Sequence, residues 1–342
     1  MKNSINPLIS IVIPCRKISS CLEKETIPAI LNQTYQNFEI IIIPNEKPDQ
    51  KFTKTKIFAK NTNPAQKRNY GIKKSQGEII AFTDDDAYPD KNWLKNALSV
   101  FENPNILPSR SSLVAVCGPG LTPSHDPLLA QVSGWMWASP FGSGGAGQYR
   151  CQPQPPRLVD DYPTFNLLVR KSALDKVKGF NSQFWPGEDT KLCLDLTRQL
   201  KGKIIYHPSV KVFHHRRNIL VPHLKQIGRY GFQRGFFTKI FPETSRRIGY
   251  FLPLLFTIGV LLGPVFYLLL LYLKFFLLAE IIAFVYSLVI GIYFLGLLIT
   301  GLWVFKKSKN ILVSILVMPT IFISHLFYGL MFFNGLTKKT IK

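Results

Sequence analysis

The chain has 342 residues, a formal net charge of +22 and a hydrophobic content of 46%. This composition argues against a disordered chain, a coiled coil and a small disulfide-stapled module. The charge is unevenly distributed, because residues 249–342 contain only seven lysines and one glutamate, whereas residues 1–248 hold most of the positive excess. We therefore expect a globular domain over 1–218, a basic amphipathic segment at the membrane interface over 219–248, and a membrane region over 249–342.

The globular part alternates apolar strands with amphipathic helices. The predicted strands cover residues 9–13, 38–43, 78–82, 113–117 and 164–169, and the predicted helices cover 20–33 and 64–76. Continuous β-branched runs separated by helices predict βαβ units and a mainly parallel sheet. Open sheets of this kind bind ligands at the carboxyl ends of their strands, so the residues after each strand are the candidates for function.

Three consecutive carboxylates, Asp84, Asp85 and Asp86, follow the strand predicted at 78–82. Adjacent carboxylates repel one another, so a cation is their natural compensation, and hard oxygen ligands suit Mg²⁺ or Mn²⁺. The alternative is an acidic turn that caps the helix beginning near Asp90.

A second acidic pair, Glu188 and Asp189, opens a helix predicted at 190–200. The helix macrodipole stabilises acids in a first turn, which is one sufficient explanation of the pair. The functional alternative is a general base that accepts a proton from a hydroxyl group.

His214 and His215 follow about twenty-five residues later and precede Arg216 and Arg217. Two histidines beside two arginines are typical of a metal ligand next to an anion-binding group. The five cysteines include no C-x-x-C pair, so they predict neither a disulfide framework nor a zinc site.

Three uncharged stretches, at 249–273, 281–305 and 310–337, exceed the roughly 20 residues that a bilayer requires. The basic residues that flank them are Arg246, Arg247, Lys306, Lys307 and Lys309. By the positive-inside rule, these residues predict a multi-pass membrane protein with its globular domain in the cytoplasm. Lys338, Lys339 and Lys342 then fall on the far side, so the third stretch either crosses or stops short of a full crossing.

The order of these motifs resembles the inverting nucleotide-sugar glycosyltransferases of family 2, which have the GT-A fold. The matching segments include I-S-I-V-I-P at 9–14, N-P-A-Q-K-R-N-Y-G-I at 63–72, G-E-I-I-A-F-T-D-D-D at 77–86, G-E-D at 187–189 and Y-H-P at 206–208. The resemblance covers about residues 8–240. It implies an α/β catalytic domain with a Rossmann-like, mainly parallel sheet, followed by transmembrane helices.

The resemblance also implies roles for individual residues. Asp84 and Asp86 match the D-x-D motif, so that Asp86, Asp84 and His214 hold Mg²⁺ or Mn²⁺ against the diphosphate. Asp189 matches the base that deprotonates the acceptor hydroxyl, and Glu188 supports it. The positions implied to contact the nucleotide sugar are Pro14, Arg16, Asn45, Glu46, Arg68, Asp84, Asp85 and Arg229.

Two departures from the family pattern leave the identity of the nucleotide open. The position after the second strand reads P-N-E at 44–46, where the family usually has an aspartate pair. The loop after the first strand reads C-R-K at 15–17, where an aromatic residue and asparagine are common. Arg16 and Lys17 lie either on the phosphate path or in a solvated basic turn.

The basic segment at 223–239 contains Q-I-G-R-Y at 226–230, which resembles the Q-x-x-R-W motif of processive polysaccharide synthases. That resemblance places Arg229 on the diphosphate and Tyr230 on the acceptor sugar. The alternative is an amphipathic helix that lies on anionic lipid.

Further acceptor contacts are predicted at Trp135, Trp137 and Asn166. The two tryptophans precede a glycine-rich loop at 141–147, which is either a lid over the acceptor or a plain linker. Asp160 and Asp161 form another acidic pair that could reach the acceptor.

The sequence thus favours a membrane-anchored glycosyltransferase that moves a sugar from a nucleotide sugar to a lipid-linked or glycan acceptor. The alternatives are a processive polysaccharide synthase and a degenerate protein that binds sugar nucleotides or glycans. Because no nucleic-acid-binding motif accompanies the positive charge, membrane lipid and phosphate-bearing substrates are the expected partners rather than nucleic acid.

Overall fold

The computed structural model describes residues 6–103, 113–145 and 147–340. The predicted domain ends at 1 and 342, and Ala146 of the predicted lid, lie outside these residues. The chain divides into two compact units. The sheet unit comprises Met1–Pro123 and Tyr149–His215, and the helical unit comprises Ser124–Gln148 and Arg216–Thr340. Residues 124–148 therefore group with the carboxyl-terminal helices, although they lie inside the range predicted for the globular domain.

The described strands are all in the sheet unit. In chain order they are β1 (Ile9–Pro14), β2 (Phe38–Ile43), β3 (Thr55–Ile57), β4 (Ile79–Phe82), β5 (Ala87–Pro89), β6 (Leu113–Cys117), β7 (Gly120–Leu121), β8 (Arg157–Val159), β9 (Leu167–Arg170), β10 (Lys203–Tyr206) and β11 (Val212–His214). Eight of them form one sheet in the order β3-β2-β1-β4-β9-β6-β10-β8, and the other three form a small sheet in the order β5-β11-β7.

The large sheet is mainly parallel, as predicted. The pairs β1–β2, β1–β4, β2–β3 and β6–β10 are parallel, whereas β9 runs antiparallel to both β4 and β6, and β8 runs antiparallel to β10. β1, β2, β4 and β6 are buried along their whole length, which explains their continuous β-branched and apolar sequences. The predicted strand at 164–169 begins as a short 3₁₀ turn, Thr164–Asn166, and becomes extended only at Leu167.

The helices of the chain, in order, are α1 (Ile27–Leu31), α2 (Pro64–Lys74), α3 (Trp93–Glu102), α4 (Leu128–Ala138), α5 (Pro140–Ser143), α6 (Gln148–Cys151), α7 (Lys171–Val177), α8 (Glu188–Leu194), α9 (Val221–Ile240), α10 (Pro242–Ser245), α11 (Ile248–Tyr272), α12 (Phe276–Ser308) and α13 (Ile311–Thr337). α1 continues a π-helical turn at Leu22–Thr26, and a second π-helical turn at Asp195–Gln199 extends α8. α2 begins as its sequence predicts, because Asn63 accepts a hydrogen bond from the Gln66 amide (3.0 Å) and Pro64 occupies the first turn.

Among the described residues, α11, α12 and α13 are long and apolar enough to cross a membrane. The sequence predicted all three. The link between the first two is shorter than predicted, because α12 already begins at Phe276. Glu280 therefore belongs to the helix and not to the turn.

The basic helix α9 packs against α13 through glycines. A Cβ atom added at Gly235 would lie 2.1 Å from the Phe332 carbonyl oxygen, and one added at Gly335 would lie 2.0 Å from the carbonyl oxygen of Phe232. Gly231 is similarly close to the backbone of Tyr328. This backbone-to-backbone contact is the small-residue packing known from membrane helices, and it gives α9 a protein-facing side in addition to its basic side.

Two histidines, the buried His223 of α9 and the half-buried His325 of α13, connect α4 and α5 to the apolar helix α13. His223 is within hydrogen-bonding distance of Ser133 (2.8 Å) and Ser324 (3.0 Å). His325 contacts the Gly142 carbonyl oxygen at 3.1 Å. The first part of the predicted glycine-rich lid, at 141–143, is therefore a helical turn held by α13, and not a free loop.

We predict that Gly235→Ala destabilises the helical unit, because the new methyl group would overlap the α13 backbone. Overpacking of this kind costs about 1–3 kcal/mol. Gly291→Ala in α12 is the matched control, since nothing lies within 4 Å of a Cβ atom there. Thermal unfolding in detergent should show a lower midpoint for Gly235→Ala alone. Equal midpoints for the two variants would contradict the close approach of α9 and α13.

Candidate active site

Asp84, Asp86 and His214 come together at the end of β4. The chain leaves β4, passes through the three aspartates and enters β5, which pairs with β11 so that Ala87 lies opposite His214. His214 Nε2 is 3.1 Å from Asp86 Oδ1. One potential ligand atom from each of the three side chains lies within 4.8 Å of the other two. The set predicted to bind a divalent cation is therefore gathered by one short strand pair.

The imidazole of His214 is held in place by its surroundings. Its ring stacks on Phe165 with a centroid distance of 4.9 Å. The next residue, His215, donates its backbone N–H to the Asp86 carbonyl oxygen at 3.0 Å. The strand end and the aspartate loop are thus fixed to each other by both backbone and side-chain contacts.

Asp85 differs from its two neighbours. Burial, together with the Asp86 and Asp84 carboxylates, raises the pKa of Asp85 to about 7. Ser19 donates a hydrogen bond to its carbonyl oxygen at 3.4 Å. Asp85 therefore binds a proton more readily than an ordinary aspartate in the absence of a compensating cation.

Arg68 links the aspartate cluster to the second acidic pair. Its buried guanidinium donates to Asp84 Oδ1 at 3.0 Å through one terminal nitrogen and to Glu188 Oε1 at 2.8 Å through the other. The Phe180 ring lies below it, with the guanidinium carbon 5.7 Å from the ring centroid. The sequence predicted a nucleotide contact for Arg68, whereas here both terminal nitrogens bind carboxylates.

Glu188 and Asp189 occupy different environments in the first turn of α8. Glu188 is only 6% exposed and accepts a second hydrogen bond from the Gly187 amide at 3.0 Å. Asp189 is half-buried, and its Oδ1 accepts from the Thr190 amide at 2.8 Å. Gly187 has a φ of 134°, a conformation that favours glycine. Of the two carboxylates, Asp189 is the more accessible to a substrate.

The two residues that flank Arg68 on α2 also bind distant segments, and sequence reasoning missed both. Lys67 donates to the Cys15 carbonyl oxygen and to the Asn45 side chain, and burial lowers the pKa of its ammonium group. Asn69 forms two 2.7 Å hydrogen bonds with the backbone of Phe180. The one sequence feature that could have indicated a role for Lys67 and Asn69 is their position inside the N-P-A-Q-K-R-N-Y-G-I segment.

The remaining predicted nucleotide contacts of the sheet unit lie after β1 and β2. Pro14 is buried at the end of β1. Arg16 and Glu46 have exposed side chains, and the Asn45 amide donates to the Arg16 carbonyl oxygen at 2.9 Å. The two loops are thus tied together at the carboxyl ends of adjacent parallel strands, where ligands of open sheets bind.

Two predicted acceptor contacts are corrected by their burial. Asn166 is fully buried, where it donates to the carbonyl oxygens of Gly118 and Val210 at 2.7 Å and accepts from the Trp93 indole at 2.8 Å. Asp161 is also buried, and it accepts hydrogen bonds from Arg150 and Thr190. Both side chains stabilise the fold and are not available to an acceptor.

The other predicted acceptor residues belong to the helical unit. The Trp137 ring meets Tyr230 edge to face with centroids 5.6 Å apart, and Trp135 contacts Trp303 at 5.8 Å. Arg229 and Tyr230 are exposed on α9. The structure therefore brings Trp137 and Tyr230 together as an aromatic pair and places Trp135 in a separate contact.

Comparisons with known proteins show similarity to glycosyltransferases. Residues 10–177 match the family profile described as "Glycosyl transferase family 2". A pre-mycofactocin glycosyltransferase of Mycobacterium tuberculosis is 27% identical over 168 residues, which are 49% of this chain and 33% of that protein. The match thus spans about a third of that relative's length.

Two further proteins match over almost the whole chain. The dolichyl N-acetyl-alpha-D-glucosaminyl phosphate 3-beta-D-2,3-diacetamido-2,3-dideoxy-beta-D-glucuronosyltransferase of Methanococcus voltae is 24% identical over 350 residues, covering 96% of this chain and 97% of that protein. A mannosyltransferase of Pyrobaculum calidifontis, solved in complex with GDP-Man and Mn²⁺, superposes with a TM-score of 0.49 at 14% identity, covering 94% of this chain and 88% of that one.

We predict that Arg68→Met lowers the free energy of unfolding by about 3–5 kcal/mol, because it leaves the buried Glu188 carboxylate without its partner. Adding Glu188→Gln should restore part of the loss, since no buried charge then remains. Arg16→Met, at an exposed position, is the control and should be nearly neutral. Chemical denaturation of the wild type, the two single variants, the double variant and Arg16→Met measures the coupling. If the effects of Arg68→Met and Glu188→Gln on the free energy of unfolding are strictly additive, the two side chains are not energetically coupled, which would contradict this prediction.

Proposed function

We propose that this chain, whose residues 10–177 match the glycosyl transferase family 2 profile, is a membrane-anchored inverting glycosyltransferase that moves a sugar from a nucleotide sugar to a lipid-linked acceptor. The observation that supports this most directly is the gathering of Asp84, Asp86 and His214 beside the Arg68–Glu188 ion pair. A cation site next to a positioned carboxylate is what transfer from a diphosphate donor requires.

In this proposal Asp84, Asp86 and His214 hold a divalent cation. Two carboxylates suit Mg²⁺ or Mn²⁺, and the imidazole nitrogen favours Mn²⁺, the softer of these two ions. When bound, the cation would neutralise charge that develops on the departing nucleoside diphosphate. Arg68 holds Asp84 in position through Oδ1, and the loops that carry Arg16 and Asn45 would border the nucleotide.

Asp189 is the proposed base, because it is the accessible carboxylate of the second pair. It would accept the proton of the acceptor hydroxyl as that oxygen attacks the anomeric carbon, and a single displacement of this kind inverts the anomeric configuration. Glu188 has a different task, since its carboxylate is bound to Arg68 and to the Gly187 amide. It acts as a positioning residue for the start of α8.

The lipid-linked acceptor is supported by the three apolar helices and by the archaeal relative that matches end to end, whose name describes transfer to a dolichyl-phosphate-linked sugar. The aromatic pair Trp137–Tyr230 offers a surface on which an acceptor sugar can stack. We place the sheet unit on the cytoplasmic side, because basic residues flank α11 and the link between α12 and α13.

We predict that Asp189→Asn reduces the rate of sugar transfer by about 10²- to 10⁴-fold, because it keeps the shape of the side chain but removes its basicity. Binding of nucleoside diphosphate should persist, and a thermal-shift assay would show this. The rate is measured as nucleotide release in lipid with a panel of nucleotide sugars. Wild-type activity in Asp189→Asn would move the base to another group, and binding without turnover in the wild type would favour the degenerate binding protein.

We predict that a chelator abolishes transfer and that Mn²⁺ or Mg²⁺ restores it. Asp86→Ala should reduce activity to near background with the fold intact, because it removes one of three ligands. Asp175→Ala, which alters an exposed carboxylate on α7, is the control and should leave the rate unchanged. Full turnover of the wild type in excess chelator would exclude the proposed role of the D-x-D residues.

A further inference from the structure

A second group of potential metal ligands lies in the sheet unit, formed by Cys21, Glu25 and His215. One ligand atom from each, a sulfur, a carboxylate oxygen and an imidazole nitrogen, lies within 4.8 Å of the other two. His215 Nε2 is 3.2 Å from Glu25 Oε2. We propose that these three side chains bind a thiophilic divalent cation, Zn²⁺. This inference does not depend on the proposed function and can fail or hold separately from it.

Local structure explains why the three side chains converge. Cys21 and Glu25 are four residues apart on the continuous helix over 20–31, so they share one face. The π-helical turn begins between them, at Leu22, and such turns are frequent at functional sites. His215 comes directly after β11, and successive side chains of an extended strand point in opposite directions. His214 thus meets Asp86, while His215 meets Glu25.

The chemistry of the ligands separates this site from the aspartate cluster. Thiolate, imidazole and carboxylate are the ligands that Zn²⁺ prefers, and three protein ligands leave one coordination position open for water or another small ligand. The aspartate cluster offers mainly hard oxygen atoms, which suit Mg²⁺ or Mn²⁺. On binding, a Zn–S bond forms and the Cys21 thiol proton leaves to solvent, so no oxidant or reductant is needed.

Cys21 is also the cysteine best placed to reach an ion from solvent. It is half-buried, whereas Cys15, Cys117, Cys151 and Cys193 are buried. The site contacts the strand end that carries His214, because the His215 amide donates to the Asp86 carbonyl oxygen. A Zn²⁺ ion on His215 would therefore fix the end of β11 on which the neighbouring site also depends.

Cobalt(II) provides a direct test, because it replaces Zn²⁺ and gives a thiolate-to-metal charge-transfer band in the near ultraviolet. The purified full-length protein in detergent should develop this band at one equivalent of Co²⁺, and Zn²⁺ should displace it. Cys21→Ser should abolish the band, and Glu25→Gln or His215→Ala, which remove a direct ligand, should weaken Co²⁺ binding by at least the roughly 10- to 100-fold that is typical when only a hydrogen-bond partner of a ligand is lost. Glu23→Gln is the matched control, since Glu23 is exposed on the same helix.

A second comparison distinguishes the two sites. Asp84→Asn alters the aspartate cluster and should leave the charge-transfer band unchanged, while circular dichroism confirms that Cys21→Ser is folded. The proposal is overturned if the wild type shows no band in excess Co²⁺, or if the band survives in folded Cys21→Ser. It is also overturned if Asp84→Asn removes the band, because the thiolate ligand would then belong to the first site.

Discussion

The candidate site depends on one buried guanidinium. Arg68 joins two carboxylates, Asp84 and Glu188, that are far apart in the sequence and come from different elements. A buried charge needs a partner with good geometry, and here one arginine compensates two acids while each acid restrains the arginine. The flanking residues Lys67 and Asn69 bind the loops after β1 and β2 and the backbone of Phe180. One turn of α2 therefore fixes five segments, and the aspartate loop and the start of α8 are two of them.

The second constraint is the small sheet that contains β5 and β11. Its strands are three residues long or shorter, so it contributes little burial of its own. Its effect is positional, because pairing of Ala87 with His214 places the imidazole on Asp86 and turns His215 to the opposite side. Two adjacent histidines thus serve two different clusters. A shift of one residue in this register would exchange their faces, since side-chain direction alternates along a strand.

The sequence predicted those features that have a local signal. β1, β2 and β6 were found almost to the residue because a continuous β-branched run is typical of a fully buried strand. Strand direction has no such signal, so the antiparallel course of β9 was not predicted. The family resemblance singled out Asp84, Asp86 and Asp189 as candidates but gave no measure of burial, which is why Asn166 was assigned to the acceptor although it is buried. The grouping of residues 124–148 with the carboxyl-terminal helices depends on contacts with residues more than seventy positions away, such as that between Ser133 and His223.

In the helical unit, the basic helix α9 packs against α13 on one side and exposes Arg229 and Tyr230. The glycines at 228, 231 and 235 of α9 lie on one side of the helix, and two of them allow its backbone to touch α13. At 100° per residue, Arg229 and Tyr230 then fall on the other side, which agrees with their exposure. The contact with α13 therefore sets the rotation of α9 about its axis, and this rotation presents the arginine and the Trp137–Tyr230 pair. If α9 were held only by lipid, its rotation about its axis would be set by the distribution of its charged and apolar side chains. Here close backbone packing against α13 sets the rotation sterically.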